Sequence, residues 1–398
     1  MNSGGVAIRS GRYIFKSYEH EVLNIERIRK ACAVIRTSAL FLIVASLFWS
    51  LAVAAGDTGF KSAVPNRVFS FPKDHGKHPE FKTEWWYFTG NLATADKREF
   101  GFQLTFFRRG LTAETKRRSQ WAVTDVYPAH FAITKVDSKE FFHSELISRE
   151  GPGLARASES HLDVRVRDWN VKADSSGMRL FAEEGEYRLD LLLSQEKPTV
   201  LHGKDGYSLK GDSESQASYY YSLTRLKAGG HITFKGSTYE VSGLAWMDHE
   251  FGSSILLADQ TGWDWFSIQM DDGTELMAFH MRKADGTTER PFGTFVPVQG
   301  EPMHLSGEQI VIKPSSTWKS PRTGAVYPAR WSIEIPELGL NLEIEPFIPD
   351  QELAAIRSTG VVYWEGAVRV KGTKKGSEIA GKGYVELTGY AGSLGSKI

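Results

Sequence analysis

Residues 243–254, GLAWMDHEFGSS, place three titratable side chains, Asp248, His249 and Glu250, directly after a tryptophan and a methionine. A carboxyl group among aromatic rings can stay protonated near neutral pH, because burial disfavours its charged form. Such an acid could protonate an alkene carbon, and a water molecule could then trap the cation. The alternative is structural: the three residues form a buried hydrogen-bonded network in which every member is satisfied.

Strand alternation predicts which of these groups can act together. Trp246 and Asp248 are expected on one face of a strand, with His249 on the other. Tyr219 and Tyr221 come from an upstream stretch, ASYYYSLTRL. Together with Trp246 they could stabilise a carbocation through their ring faces.

The stretch TEWWYF, which contains Glu84, Trp85 and Trp86, has consecutive apolar residues. Both strand faces therefore carry aromatic rings, and at least one ring should line a cavity or a module interface. Both tryptophans would suit an extended lipid or isoprenoid ligand, and core packing is the alternative. Glu84 is expected either to pair with Arg108 or Arg109, or to have a raised pKa.

A metal site and a hydrolase site both find little support. His75 and His78 could begin a metal site with Glu84 as a third ligand, and His130 adds another imidazole. A turn through the loop DHGKHPE explains the same residues, so we expect no metal and no other cofactor. The stretch FGSSIL lacks the closing glycine of a serine nucleophile elbow.

The first 55 residues form a predicted leader. A basic cluster precedes an apolar run from Ala39 to Ala55, which is typical of a signal peptide or an uncleaved inner-membrane anchor. Export to the periplasm or beyond is therefore expected, with membrane contact only through this segment. The one cysteine, Cys32, lies in the leader, so a cleaved chain could form no disulfide. Because the leader is basic, the rest of a chain with 48 basic and 48 acidic residues is slightly acidic, which argues against nucleic-acid binding.

The rest of the chain alternates apolar and polar residues in twos, as in HLDVRVRDW, and Asp-Gly pairs supply hairpin turns. This pattern predicts an antiparallel all-β fold of barrels or sandwiches. The stretch DQELAAIRS, residues 350–358, is the best helix candidate. The segments TEWWYFTGNL and TGWDWFSIQM align as an internal repeat, matching Trp85 to Trp263 and Phe88 to Phe266.

Three stretches together resemble one family: FPKDHGKHPEFKTEWWYFTGNL, ASYYYSLTRL and GLAWMDHEFG. They are similar to the AttH / carotenoid 1,2-hydratase family, whose members are also called hydroxyneurosporene synthase-like proteins or secreted hydrolases. The resemblance implies two tandem lipocalin-like (calycin) antiparallel β-barrels, with a hydrophobic ligand bound in or between them. It also implies that Asp248 is the proton donor of the hydratase branch. Tyrosines at 219–221 and Trp246 depart from that branch's pattern, which favours the AttH branch over carotenoid hydration itself.

The sequence therefore predicts a leader at 1–55, a first lipocalin-like domain at 60–240 and a second at 241–398. The expected function is binding of an apolar isoprenoid or acyl-chain ligand, with acid-catalysed hydration or cyclisation of an alkene. The alternative is a non-catalytic lipid carrier or an accessory factor of an envelope ABC transporter. The predicted catalytic residues are Asp248, Tyr219, Tyr221, Trp246 and His249, and the predicted ligand-binding residues are Glu84, Trp85, Trp86, Glu250 and Arg108.

Overall fold

The computed structural model describes Met1 and residues 59–394, apart from 114–118, 120–121, 211–215, 254–258 and 290. The predicted leader, beyond Met1, lies outside the described residues, so the signal-peptide and anchor predictions stay predictions. Across the described ranges, no helix has both the length and the apolar character needed to cross a membrane.

Antiparallel strands make up most of the described chain. The first sheet contains β1 (Thr83–Ala93), β2 (Glu99–Gly110), β3 (Asp125–Lys135), β4 (Glu140–Arg149), β5 (Ala155–Ala157), β6 (Asp163–Val166), β7 (Trp169–Asp174), β8 (Gly177–Glu184), β9 (Tyr187–Gln195), β10 (Val200–Leu201), β11 (Tyr207–Leu209), β12 (Ala217–Phe234) and β13 (Ser237–Gly252). The second contains β14 (Gln260–Met270), β15 (Glu275–Lys283), β16 (Phe292–Val296), β17 (Met303–Ser306), β18 (Val311–Lys319), β19 (Val326–Ile335), β20 (Leu340–Pro346), β21 (Glu352–Ala355), β22 (Val361–Lys374) and β23 (Ser377–Leu387). Three short 3-10 turns cover Lys73–His75, Gly307–Gln309 and Pro336–Leu338.

Both sheets curl around their own apolar cores. The first runs in the order β4-β3-β2-β1-β13-β12-β9-β8-β7-β6-β5, with β10 and β11 added to β12, and forms a nearly closed barrel. The second runs in the order β17-β16-β15-β14-β23-β22-β20-β19-β18, with β21 added to β22, and forms a half-barrel. Large apolar side chains such as Trp169 and Phe131 fill the first core, and Trp331 and Phe266 fill the second. The predicted all-β, lipocalin-like fold is confirmed.

Burial follows the predicted alternation, and one local prediction is wrong. In β6, Val164 and Val166 are buried while Arg165 between them is exposed, as a strand with one wet face requires. The expected helix at 350–358 is instead a strand, β21, which pairs with the start of β22. Inter-strand hydrogen bonds outweigh the weak helical pattern there.

The internal repeat corresponds to equivalent places in the two sheets. β1 lies between β2 and the last strand of its sheet, β13, and β14 lies between β15 and the last strand of the second sheet, β23. The matched phenylalanines, Phe88 and Phe266, point into the two separate cores. The predicted boundary at 240/241 falls inside β13, which pairs with β1 and β12; the division into two domains stays a prediction.

A buried ion cluster joins the two sheets. Glu275, on β15 of the second sheet, has no solvent exposure. Its carboxylate lies 2.6 Å from Lys197 Nζ and 2.5 Å from Arg225 Nε, both from the first-sheet part of the chain. Lys197 also donates to two carbonyl oxygens of the second sheet, those of Gly273 at 2.6 Å and Pro297 at 2.9 Å. These contacts fix the first sheet against the second.

We predict that Glu275→Gln lowers the free energy of unfolding by about 3 kcal/mol, because two largely desolvated cations lose the fully buried carboxylate that they share. Urea denaturation followed by tryptophan fluorescence measures this change. Glu378→Gln, an exposed substitution on β23, is the control and should change stability by less than about 0.5 kcal/mol. Equal stability of the two variants would mean that Glu275 does not bind the sheets together.

Candidate active site

A cavity of about 220 Å³ lies between the two sheets. Its walls come from β1, β2, β3 and β13 on one side and from β14, β15, β22 and β23 on the other. Aromatic and apolar side chains dominate the walls: Trp85, Tyr87, Phe107, Tyr220, Trp263, Trp265, Phe279, Met281 and Tyr363. An apolar chamber with a few polar groups is the usual form of a small-molecule site.

Asp248 projects from β13 onto the cavity wall and is 4% exposed. Its Oδ2 accepts a hydrogen bond from the Tyr220 hydroxyl at 2.6 Å. Its Oδ1 accepts bonds from Trp246 Nε1 at 2.6 Å and from the Ser222 hydroxyl. Burial raises the pKa of Asp248 to about 7, and the three donors lower it by less. This carboxyl group can therefore hold a proton near neutral pH.

A second carboxyl group, that of Glu386 on β23, lines the same cavity from the second sheet. Trp263 Nε1 donates to its Oε2 at 2.8 Å. Burial, together with the charges of Asp248 and Glu250, raises the pKa of Glu386 to about 7, although the Trp263 bond lowers it. Two interacting carboxyl groups with similar pKa values favour a state in which one is protonated and the other ionised.

The internal repeat explains why both acids lie here. Asp248 pairs with Tyr87 across the β13–β1 ladder, and Glu386 pairs with Trp265 across the β23–β14 ladder. Tyr87 and Trp265 occupy matching positions in the aligned segments TEWWYFTGNL and TGWDWFSIQM. Glu386 is therefore the second-sheet counterpart of Asp248. The sequence interpretation missed it, although extending the repeat to the last strand of each sheet would have found it.

Two tyrosines predicted to accompany Asp248 lie on the opposite face of β12. Tyr221 contacts His249, and the Tyr219 hydroxyl donates to the Val64 carbonyl at 2.8 Å. Tyr220 takes their place at the acid, because it lies on the same face of β12 as Ser222, the residue paired with Asp248. Tyr220 also accepts a bond from Trp265 Nε1 at 3.0 Å.

The three predicted tryptophans have different roles. Trp85 lines the cavity as expected, whereas Trp86 is fully buried in the first core and stacks on His249. Trp246 supports Asp248 through its indole N–H but does not line the cavity, so its ring is not placed to stabilise a cation there. Trp265, from the second sheet, supplies a ring face on the wall instead.

Glu250 and Lys210 form an ion pair on the cavity wall. Lys210 Nζ lies 2.9 Å from Glu250 Oε1, and the Ser218 hydroxyl donates to the same oxygen at 2.5 Å. The ammonium also lies over the rings of Tyr220 and Phe279, at 4.8 and 5.0 Å. Glu250 therefore has a compensated charge and differs from its neighbour Asp248.

His249 and Glu84 belong to a second buried cluster, whose members Glu84 and Arg108 also line the cavity. His249 Nε2 lies 2.9 Å from Glu84 Oε1, and His78 Nδ1 lies 2.7 Å from the same oxygen. Arg108 lies 3.6 Å from Glu84 and 2.9 Å from Asp125, so the expected pairing of Glu84 with an arginine is confirmed. The cluster ties the segment before β1 to the barrel.

The ligand atoms of His78, Glu84 and His249 lie close enough together to suggest a metal site. The geometry does not fit one. His78 donates from both ring nitrogens, to Glu84 and to Asp74 at 2.9 Å, and these acids raise its pKa although burial lowers it. A dication would have to displace that proton. When His78 carries this proton, the charges of the cluster balance. The four carboxylates are those of Asp74, Glu84, Asp125 and Glu150, and the four cations are Arg67, Lys77, His78 and Arg108.

A Ser–His pair on the cavity wall is not arranged as a nucleophile and base. The Ser358 hydroxyl lies 2.5 Å from Glu145 Oε2 and 2.9 Å from His130 Nε2. Burial raises the pKa of Glu145, but bonds from Ser358 and Arg357 lower it overall, so the ionised carboxylate accepts a hydrogen bond from the Ser358 hydroxyl. His130 then donates to Ser358 and accepts from the Tyr363 hydroxyl at 2.7 Å. Serine hydrolase chemistry gains no support from this pair.

A family model described as AttH-like matches residues 62–390. The chain belongs to the AttH-like family. A solved AttH protein from Nitrosomonas europaea is 36% identical, with a TM-score of 0.75, and the match covers 83% of this chain and all of that one. Kievitone hydratase from Nectria haematococca is 17% identical with a TM-score of 0.64, over 84% of this chain and 97% of its own. Dehydratase AsqC from Emericella nidulans is 22% identical over 284 residues, which is 67% of this chain and 77% of AsqC.

The raised pKa of Asp248 in this AttH-like protein predicts how the free energy of unfolding depends on pH. Its folded pKa of about 7 exceeds the ordinary 3.8, so the folded state keeps a proton that the unfolded state loses. This contribution to stability is present at low pH and is lost as pH rises towards 7. We therefore compare the free energy of unfolding of Asp248→Asn with that of wild type. The value for the variant minus the value for wild type should be roughly 2 kcal/mol larger at about pH 8 than at about pH 5. Urea denaturation at both pH values measures it; an equal difference at both would show an ordinary carboxyl group.

A substitution of His78, in the buried cluster, should instead lower stability, and by an amount that depends on pH. Because its pKa is raised in the folded state, its contribution is present below about pH 6.5 and declines as pH rises through the raised value. His78→Gln should cost about 3 kcal/mol at about pH 6 and less at about pH 9. Thermal and urea unfolding measure the loss, and EDTA should leave the wild-type curve unchanged. A chelator-induced loss of stability would restore the metal interpretation.

Proposed function

We propose that this AttH-like protein adds water to, or removes it from, an apolar alkene-bearing ligand held in the cavity between the sheets. The observation that carries the proposal is the pair of carboxyl groups that line the same cavity, Asp248 and Glu386, one from each sheet. Acid–base chemistry at neutral pH needs one group that gives a proton and one that takes it, and pKa values near 7 suit both tasks. A relative named as a hydratase and another named as a dehydratase support the same reaction class.

In the hydration direction, Asp248 gives its proton to an alkene carbon and becomes a carboxylate. Oδ2 is the oxygen better suited to carry this proton, because it accepts one hydrogen bond, from Tyr220, whereas Oδ1 accepts two, from Trp246 and Ser222. The cation that forms is stabilised by the aromatic rings of the wall, among them Trp265, which bonds to Tyr220 beside the acid. A water molecule attacks the cation, and the proton it releases goes to the Glu386 carboxylate.

The two acids exchange tasks in the dehydration direction. Protonated Glu386 delivers its proton to the leaving hydroxyl group, and the Asp248 carboxylate removes a proton from the neighbouring carbon. In both directions one acid acts from the first sheet and the other from the second, and both line the same cavity. This arrangement follows the logic of paired carboxyl groups that act across a substrate.

The proposal also covers the type of ligand, the export of the protein and its partner. The aromatic walls support an isoprenoid or acyl-chain ligand, and the basic cluster and apolar run before residue 56 support export. A non-catalytic carrier, alone or with an envelope ABC transporter, is the alternative, because the same walls would hold a ligand that does not react.

The decisive test measures water incorporation. Purified protein is incubated with prenylated phenols and linear terpenoid alkenes in ¹⁸O-labelled water, and the products are analysed by mass spectrometry. Asp248→Asn and Glu386→Gln should each lower kcat/KM by about 10³-fold while ligand binding persists. Glu378→Gln, exposed on the same strand as Glu386, should react like wild type. Normal turnover by Asp248→Asn would exclude Asp248 as the acid, and binding without turnover by wild type would favour the carrier.

The pH dependence follows from the same pair. Below pH 7 Glu386 becomes protonated and cannot take the proton of water, and above pH 7 Asp248 loses the proton it must give. We expect a bell-shaped profile of kcat/KM with its maximum near pH 7, measured from about pH 5 to about pH 9. A flat profile would exclude this acid–base pair.

A further inference from the structure

Arg109 lies at the end of β2 on the cavity wall and is half-buried. It is opposite Thr83 in the β1–β2 register, so its side chain shares a face with Phe107 and Trp85, which also line the cavity. Within the ranges that the structure describes, its guanidinium makes no hydrogen bond or ion pair. A partly desolvated guanidinium without a partner is a ready binding group for an anion.

The other basic groups of the wall are already compensated. Arg108 pairs with Asp125 at 2.9 Å, and Lys210 pairs with Glu250 at 2.9 Å. Burial lowers the pKa of His130 to about 3, so its imidazole is neutral. Arg109 is therefore the cation of the described lining that has no carboxylate within ion-pair distance.

We infer that Arg109 binds an anionic head group, so that the ligand is an amphiphile with a carboxylate or similar group at one end and an apolar chain beyond it. The inference rests on the proposed function and specifies its substrate class. The aromatic walls cover the chain, and the planar guanidinium donates two parallel hydrogen bonds to the two oxygens of a carboxylate.

The strand register also sets the distance from head group to reacting bond. Arg109 is level with Thr83, and Asp248 is level with Tyr87, four residues further along β1. At about 3.4 Å per residue, the two levels are ~14 Å apart. The alkene should therefore lie near the far end of a medium-length chain, away from the head group.

The experiment compares a matched anionic and neutral ligand. Undecylenate carries a carboxylate and a terminal alkene, and undecylenyl alcohol has the same chain with no charge. Calorimetric titration of wild-type protein should give about tenfold tighter binding of undecylenate. Arg109→Met should remove that preference while it keeps the affinity for the alcohol. Arg330→Met, an exposed arginine on β19 that pairs with Glu345, is the control and should leave the preference unchanged.

The outcomes separate this inference from the proposed function. Equal binding of acid and alcohol by wild type would overturn the anionic ligand class and leave an apolar cavity in place. A preference that survives in Arg109→Met would likewise overturn the role of Arg109. Failure of both probes to bind would count against the cavity as a ligand site altogether, and a preference lost only in Arg109→Met supports the inference.

Discussion

Removal of carboxyl groups from water is the constraint on which this molecule depends. A buried acid either receives a charged partner or keeps its proton, because an isolated buried charge is too unfavourable. The structure uses both solutions within one strand pair. Glu84, with two histidines and an arginine around it, has a lowered pKa, whereas the neutral donors around Asp248 leave its pKa raised. The charge of the partners, more than the depth of burial, decides which acid can give a proton.

The two-sheet architecture turns this constraint into a pair of acids. Each sheet ends on a strand that pairs with its own first strand, and each of these last strands carries one acid at the same register position. When the sheets pack face to face, the equivalent positions line one cavity. The pair is not symmetric: Asp248 accepts three hydrogen bonds, and Glu386 accepts one from Trp263. This difference gives the two walls distinct electrostatic surroundings before a ligand enters.

Much of the fold could be predicted from the sequence, because period-two alternation and a repeated aromatic strand pair are local signals. The acid Asp248 was also recognisable, since its neighbours are aromatic. The side of β12 that faces Asp248 could not be predicted, because a run of three tyrosines looks the same whichever residues point towards the acid. Because Ser222 pairs with Asp248, Tyr220 is the tyrosine that lies on the same face as the acid. A bulge between Leu223 and Leu226 changes the register beyond this point. Glu386 was missed for a different reason: it lies far from the repeat in the chain and meets Asp248 only through sheet packing.

The same parity explains why three adjacent titratable residues do not act as one group. Asp248 and Glu250 face the cavity, and His249 between them faces the barrel interior, where it completes the cluster around Glu84. A shift of one residue in the β1–β13 register would place the imidazole in the cavity and both acids in the core. The interior cluster opposes such a shift, because its hydrogen bonds form only with His249 inward. The ionised cluster therefore holds the register that presents the neutral acid to the ligand.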